Sequence, residues 1–325
     1  MKEIERRNKM ILKLIAEAKT PIGSVELAAK LKEFGLEVPE RTVRYYLKSL
    51  GDQGLVKIFW KEGRMITSKG REELSNAHVS EKIGLVSSRI ESLAYQMDFD
   101  IHTRKGRVIL NVSLFNAREF KKAIELMKPV FENKLSMGEL VLVVEAGEEI
   151  GGIIVPPGKV GFGTLCTINL NGILLKHAIP VVSRFGGMLQ IEEGRPLRFT
   201  DIIDYSGSTL DPHEIFLKSQ MTSVNEAIHG AGKVLAGFRE IPAASRDEAE
   251  ATLRRIEAAG LGTALVLGKS GQTVLGMPVA VERVGLVVAG GLNPVAAAEE
   301  AGLETESRAL VSLIDHSALI NYRDL

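Results

Sequence analysis

The sequence predicts a two-part chain of α+β/α/β class. An N-terminal winged helix-turn-helix over residues 1–75 is joined by a linker at 76–82 to an α/β domain over 83–325 built from two similar repeats. Three observations predict this. Residues 39–67 read as an amphipathic helix running into a basic hairpin. The remainder alternates β-branched apolar runs with helical patterns. A gapless shift of 124 positions lays residues 141–191 on a later segment with nine identities, which is the mark of an internal repeat.

Within the first part, Ile4, Ile11, Leu14, Ile15 and Ala18 recur at helical spacing, and Ser24 is positioned to cap a second helix holding Val25, Leu27, Ala28 and Leu31. A third helix has Val43, Tyr46, Leu47 and Leu50 on one face and Arg41, Thr42, Arg44, Tyr45 and Lys48 on the other. Gly51 and Gly54 end it. Val56, Ile58 and Trp60 then alternate as a strand, Glu62-Gly63 turns, and Met65 to Thr67 returns, with Lys57, Lys61 and Arg64 near the tip. An arginine can fork onto a guanine edge, a threonine can touch a thymine methyl, and lysine or tyrosine can bond phosphate oxygens. Operator DNA is therefore the expected partner of these eight side chains. A small helical domain whose basic face is merely solvated is the alternative.

Charge agrees with the first reading. Lys plus Arg and Asp plus Glu are both 41, but residues 1–80 hold 16 basic and 11 acidic side chains, leaving the rest at −5. The positive excess lies where phosphates would use it. A single cysteine, Cys166, excludes an intrachain disulfide and a multi-cysteine zinc site, and the six histidines have no metal-ligand spacing. Lys13 interrupts the only apolar N-terminal run, and the uncharged stretch Val284 to Ala298 is too short to span a bilayer. A cytoplasmic chain with no membrane contact is expected.

In the second part Ser75 to Ser80 reads as a hinge, Ile83 to Met97 as a helix and Arg107 to Leu114 as a strand. Asn116 is placed to cap a helix reaching about Lys128, and Leu140 to Val144 and Gly151 to Val155 read as strands. The repeat pairs Gly152 with Gly276, Gly161 with Gly285, Asn169 with Asn293 and Arg184 with Arg308. Upstream the shift becomes 126 for Gly106-Arg-Val and 128 for Ala117-Arg-Glu. The repeats thus run over about 106–191 and 232–315, expected as a pseudo-twofold pair with matched glycines in equivalent turns. Residues 192–217 are a connector or a functional insert.

The stretch Val160-Gly-Phe-Gly-Thr-Leu-Cys-Thr-Ile-Asn places Gly161 and Gly163 beside Thr164, Cys166, Thr167 and Asn169, a composition able to line an anion pocket. A tight turn between core strands explains the glycines equally. No phosphate-loop or dinucleotide fingerprint is present. Arg184, followed by Phe185, Gly186 and Gly187, offers a carboxylate fork with room for close backbone approach, or else a structural ion pair. Cys166 has no evident base and no catalytic constellation stands out, so an enzyme is not expected.

A winged helix followed by Val-Gly-Phe-Gly-Thr-Leu-Cys-Thr-Ile-Asn at 160–169, Arg-Phe-Gly-Gly-Met at 184–188 and Gly-Ser-Thr-Leu-Asp-Pro-His-Glu at 207–214 resembles the archaeal nitrogen-regulation repressor family, NrpR, and its bacterial relatives. The resemblance covers nearly the whole chain and rests on the 160–214 motifs. It implies a repressor of nitrogen-assimilation promoters that 2-oxoglutarate releases, with no cofactor. The effector region maps onto Gly163, Thr164, Cys166 and Thr167, with Arg184 as the expected charge partner. Some members carry two regulatory domains where this chain has one, which implies a homodimer, a higher oligomer or a separate regulatory-domain chain. A winged-helix regulator sensing another small ligand or a partner protein is the alternative, and an α/β enzyme with an autoregulatory winged helix is the third reading.

Overall fold

The computed structural model describes residues 2–18, 20–33, 36–59, 62–71 and 86–325, and the chain divides into two compact units, Met1–Gly84 and Leu85–Leu325. The side chain of Ile4, the strand residue Trp60, Lys61, the 76–82 linker and Ile83 lie outside the described residues.

In the first unit, helices α1 (Lys2–Glu17), α2 (Ser24–Glu33) and α3 (Glu40–Asp52) precede strands β1 (Val56–Phe59) and β2 (Gly63–Ile66). Ile11, Leu14, Ile15, Leu27, Leu31 and the expected inward face of α3, Val43, Tyr46, Leu47 and Leu50, form its core. β1 and β2 pair antiparallel, Phe59 opposite Gly63. Ile22 and Arg64 exchange two backbone hydrogen bonds of 3.0 Å, an isolated antiparallel bridge on the outer side of β2 close to the turn. That crossing demands a glycine at 63: its φ is +129°, and a Cβ there would fall 2.4 Å from the Ile22 carbonyl carbon. Two expectations change. Ile58 is 62% exposed, because β1 stands in a wing rather than against a core. Ser24 is itself the first residue of α2, and its hydroxyl donates to Glu40 at 2.9 Å.

The second unit opens with α4 (Val86–Gln96) and β3 (Arg107–Asn116). It continues through α5 (Phe120–Glu132), β4 (Leu140–Val144), the hairpin β5 (Glu149–Ile150) and β6 (Ile153–Ile154), β7 (Lys159–Leu165) and α6 (Ile168–Lys176). Then come β8 (Val182–Glu192), β9 (Arg195–Asp204), α7 (Pro212–Lys218), α8 (Val224–Ala227), β10 (Gly232–Pro242), α9 (Arg246–Ala258) and β11 (Ala264–Leu267). β12 (Arg283–Ala289), α10 (Asn293–Glu300), β13 (Thr305–Asp315) and β14 (Ile320–Asn321) complete it.

All strand pairs are antiparallel, in sheets ordered β13-β3-β7-β4-β14 and β11-β12-β10-β8-β9. The order β13-β3-β7-β4 recurs as β8-β10-β12-β11, so each repeat gives its last strand to the other repeat's sheet. The register repeats with the topology. Val112 faces Gly163 and, later, Phe238 faces Val287; Leu114 faces Gly161 as Glu240 faces Gly285. Both sheets and their helices share one hydrophobic cluster, so the exchanged strands close a single core.

Three sequence expectations are corrected here. α5 and α9 match at a shift of 126 at both ends, replacing 128, because Asn116 closes β3 and accepts from the Arg118 amide in a turn before the helix begins. Gly151 to Val155 is not one strand: Gly151 and Gly152, with φ of +60° and +81°, fold it into the β5–β6 hairpin. Gly152 and Gly276 do occupy matching turns, both at φ +81°, whereas Gly161 and Gly285 lie within strands β7 and β12. Residues 192–217 supply the outermost strand β9 and the helix α7.

The repeated asparagines explain how the helices are fixed. Asn169 accepts from the Ile109 amide at 2.7 Å and donates to the carbonyls of Ile109 and Cys166 at 2.7 and 2.9 Å. Asn293 accepts from the Leu235 amide at 2.8 Å and donates to the carbonyls of Leu235 and Leu135 at 3.0 and 2.7 Å. Each side chain acts as a substitute peptide group, tying the first turn of α6 or α10 to the first strand of its own repeat.

Candidate functional site

On α3, burial of the apolar stripe leaves Arg41, Arg44, Tyr45 and Lys48 exposed and Thr42 half-buried along the opposite face. Tyr45 is 71% exposed, too open for a core side chain. Lys57 extends from β1 with its ammonium over the Phe59 ring, and Arg64 is half-buried where β2 meets Ile22. Lys61 lies outside the described residues. Arg44 differs from its neighbours. Its guanidinium bonds Glu40 at 2.7 and 3.1 Å, and that contact, with the Ser24 hydroxyl, holds the Glu40 carboxyl below its ordinary range. Were this face of α3 to meet DNA, the carboxylate would compete for Arg44. Glu40→Gln should tighten binding by freeing it, and unchanged or weaker affinity in a duplex titration would exclude Arg44 from the contact surface.

In the second unit the predicted ligand residues separate into distinct environments. Gly161 and Gly163 line no polar pocket: a Cβ on either would press on Ile150 of the folded-back hairpin, with Val155 beside the first and Leu110 and Leu142 beside the second. Gly285 admits Val279 and Val274, the residues 124 positions after Val155 and Ile150, so these glycines serve packing common to both repeats. Asn169 has its amide engaged by Ile109 and Cys166. Gly187 gives way to β9, where a Cβ would strike the Asp201 carbonyl. Arg184 is exposed in the bulge where β8 meets β10, with Asp204 nearby, and does not enter the interior. Arg184, expected as a carboxylate fork or a structural ion pair, thus stands on the surface beside Asp204.

Cys166, Thr167 and Gly186 do come together, around an arginine the sequence reading missed. Arg239, from the middle of β10, is 0% exposed. Its Nε donates to the Asn171 carbonyl oxygen at 2.8 Å and its Nη2 to the Thr167 hydroxyl at 2.7 Å, while Nη1 has no protein partner. Nη1 lies over Gly237, where a Cβ would be 2.6 Å away. Gly237 is paired with Gly186, and above Gly186 stand the Tyr205 hydroxyl and the His213 ring. A cavity of about 10 Å³ beside this group is lined by Asn111, Cys166, Thr167, Tyr205, Asp211, His213, Gly291 and Leu310. That is room for one water. Thr164 supports it from behind, through a 3.5 Å contact from Asn111.

The charge state of this chamber follows from burial. Removal from water lowers the Arg239 pKa from its usual value and also keeps His213 neutral to lower pH; the latter's Nε2 faces the Ala236 carbonyl at 3.1 Å, which fits a protonated Nε2. Burial pushes the Cys166 thiol up to about 12, so it is a small inert side chain here rather than a nucleophile. Asp211 caps α7 by accepting from the His213 and Glu214 amides, and forms no salt bridge with Arg239. A larger cleft of about 340 Å³ near Phe131, Ser136 and Leu265 has its Lys134 already paired with Glu257 at 2.9 Å. Among the described residues no three His, Cys, Asp or Glu side chains converge as a metal site, and no helix is long and apolar enough to cross a membrane.

The family model described as NrpR regulatory domains NRD1 and 2 matches residues 83–321. The chain belongs to the NrpR family. Residues 9–74 match the model of the ribonuclease R winged-helix domain, which bears on the fold of the first unit. A global nitrogen regulator NrpRI of Methanosarcina mazei is 35% identical over 318 residues, 98% of either chain. The global nitrogen regulator NrpR of Methanococcus maripaludis is 33% identical over 95% of this chain but only 54% of its own length, so this chain spans about half of that longer relative. Among solved structures, a nitrogen repressor-like protein from Methanococcus jannaschii superimposes with a TM-score of 0.63 at 26% identity, covering 73% of this chain and 98% of that one.

Proposed function

We propose that this chain is a DNA-binding repressor of nitrogen-assimilation genes, and that 2-oxoglutarate bound to the Leu85–Leu325 unit lowers its affinity for operator DNA. The observation that carries the reading is the union, in one chain, of an exposed basic helix and wing with the regulatory domain of proteins named as global nitrogen regulators. The chain acts as a homodimer, since two recognition helices separated by one DNA turn, about 34 to 36 Å, fit a palindromic operator. An effector that favours a dimer with another spacing then weakens binding by its differential affinity for the two states.

The test is a titration of the full chain on a duplex selected from a random pool for tight binding. Millimolar 2-oxoglutarate should reduce affinity about 5- to 150-fold, the usual range of allosteric coupling, while glutamate and pyruvate should not. Release by a different metabolite, or by none, would replace 2-oxoglutarate as the signal and favour another ligand or a partner protein.

A further inference from the structure

We infer that the outer edge of β11 and the cleft beside it form a docking seat for an extended segment of another polypeptide, one that carries an apolar residue followed two positions later by a lysine or arginine.

The first repeat shows how such a seat is filled. There the chain's own C-terminal segment lies on β4, with Ile320 opposite Val141 and Asn321 opposite Leu140, and the Tyr322 amide donates to the Glu139 carbonyl at 2.9 Å. Tyr322 stacks on Phe131 of α5 at 4.7 Å, and Arg323 bonds the Glu139 carboxylate at 2.6 Å. One short strand and two side chains thus cover this edge.

The second repeat has the same edge without that cover. The alignment of the repeats matches Glu139, Leu140 and Val141 with Thr263, Ala264 and Leu265, and it matches Gly138 with Gly262. Those two glycines pack on one another, for a Cβ on Gly262 would lie 2.6 Å from the Gly138 nitrogen. β11 ends its sheet, paired with β12 alone. Thr263, Ala264 and Leu265 line the cleft of about 340 Å³ together with Glu257, which takes the place of Phe131 in the match of α9 with α5. By its lining, the cleft is therefore the counterpart of the space that Ile320 to Arg323 fill in the first repeat. A bulge at Leu265 interrupts the pairing with β12, so the added strand is short, as β14 is.

The edge is also unguarded. β9, at the far end of the same sheet, carries Arg195, Pro196, Arg198 and Asp201, whereas Thr263 to Leu267 bear no charge and no proline. Charges and proline are what keep an open edge from pairing.

Two polar groups on the cleft call for a partner. Ser136 is 8% exposed, borders the cleft, and its hydroxyl has no hydrogen-bond partner. A main-chain carbonyl of an added strand supplies the acceptor. Lys134 bonds Oε1 of Glu257 at 2.9 Å, which leaves the second carboxylate oxygen to a further cation. Where the first repeat sets Tyr322 against Phe131, this seat thus suits lysine or arginine. A polypeptide fits better than a small molecule, because a sheet edge offers its main-chain groups in a row while the side-chain sites beside it select the sequence.

The probe is a synthetic peptide of residues 317–325 with Tyr322→Lys, compared with the same peptide carrying Tyr322→Glu, each titrated calorimetrically into the full chain. The lysine peptide should bind once per chain and slow amide hydrogen exchange in β11, and the glutamate peptide should bind at least about tenfold more weakly. Glu257→Gln should bring the two peptides within about threefold of each other. Ser136→Ala should weaken the lysine peptide about threefold or more without lowering the melting temperature, since the hydroxyl it removes bonds nothing within the chain. Failure of the lysine peptide to bind at about 1 mM overturns the seat, as does equal affinity of the two peptides for wild type. Faster exchange at Ile320 and Asn321 would mean that the peptide displaces the chain's own segment from β4, and it too overturns the proposal. Exchange in β11 that is slow before any peptide is added and quickens on dilution would assign the edge to a second copy of the chain instead.

Discussion

Asn293→Ala is expected to destabilise the second unit by about 3 kcal/mol, and Asn169→Ala by a similar amount. The substitution removes three hydrogen bonds and leaves the amide of Leu235, or of Ile109, without its partner in the core. An orphaned buried donor alone costs about 1 to 3 kcal/mol. The carbonyls fare better, because Gly290 still donates to Leu235 and Cys166 to Ile109. For a unit of this size the loss corresponds to a melting temperature lower by about 6 to 12 °C. The two asparagines bond no common residue, so the double variant should lose the sum within about 0.5 kcal/mol. Thermal or urea unfolding of the four proteins measures this. A loss below about 1 kcal/mol in either single variant would mean that the repeated asparagine is not what secures its helix.

Local pattern was legible in the sequence, and partnership between distant segments was not. The α3 stripe was readable because helical periodicity separates Val43, Tyr46, Leu47 and Leu50 from the charged face without any knowledge of what they touch. The repeat was readable for a similar reason, since identical turns need identical residues, as at Gly152 and Gly276. The exchange of β8 and β13 left no mark, because alternation says which side of a strand is apolar and not which sheet receives it. At Gly161 and Gly163 the sequence leaves an anion cradle and a tight turn between core strands equally open. Glycine permits close approach by any group, and the group here is the β5–β6 hairpin. Arg184 recurs as Arg308, and both mark bulges at the surface, whereas Arg239 recurs nowhere and is the one inside. A usable signal did exist: Val-Leu-Ala-Gly-Phe-Arg-Glu-Ile-Pro at 234–242 sets an arginine two residues after a glycine, beside a glutamate in a strand of apolar residues, space enough for a guanidinium to lie flat.

The recognition surface carries the other large expected effect. Arg41→Ala should cost about 1 to 3 kcal/mol on the preferred duplex and less on an unrelated one, because a forked contact to a base edge is lost only where that base is present. Lys57→Ala, on the wing, should weaken all duplexes alike and reduce the slope of log affinity against log salt by about one, since it would neutralise a phosphate rather than read a base. Arg44→Ala should lie below Arg41→Ala, because Glu40 already holds that guanidinium at 2.7 Å and must be displaced before it can serve DNA. None of the three side chains is buried, so the unit should remain folded and the losses should belong to binding. Anisotropy titrations on preferred and scrambled duplexes at three salt concentrations separate these contributions. If Arg41→Ala and Lys57→Ala both left affinity and salt slope at wild-type values, the basic face of α3 and the wing would be solvated surface, and the unit would meet its partner elsewhere.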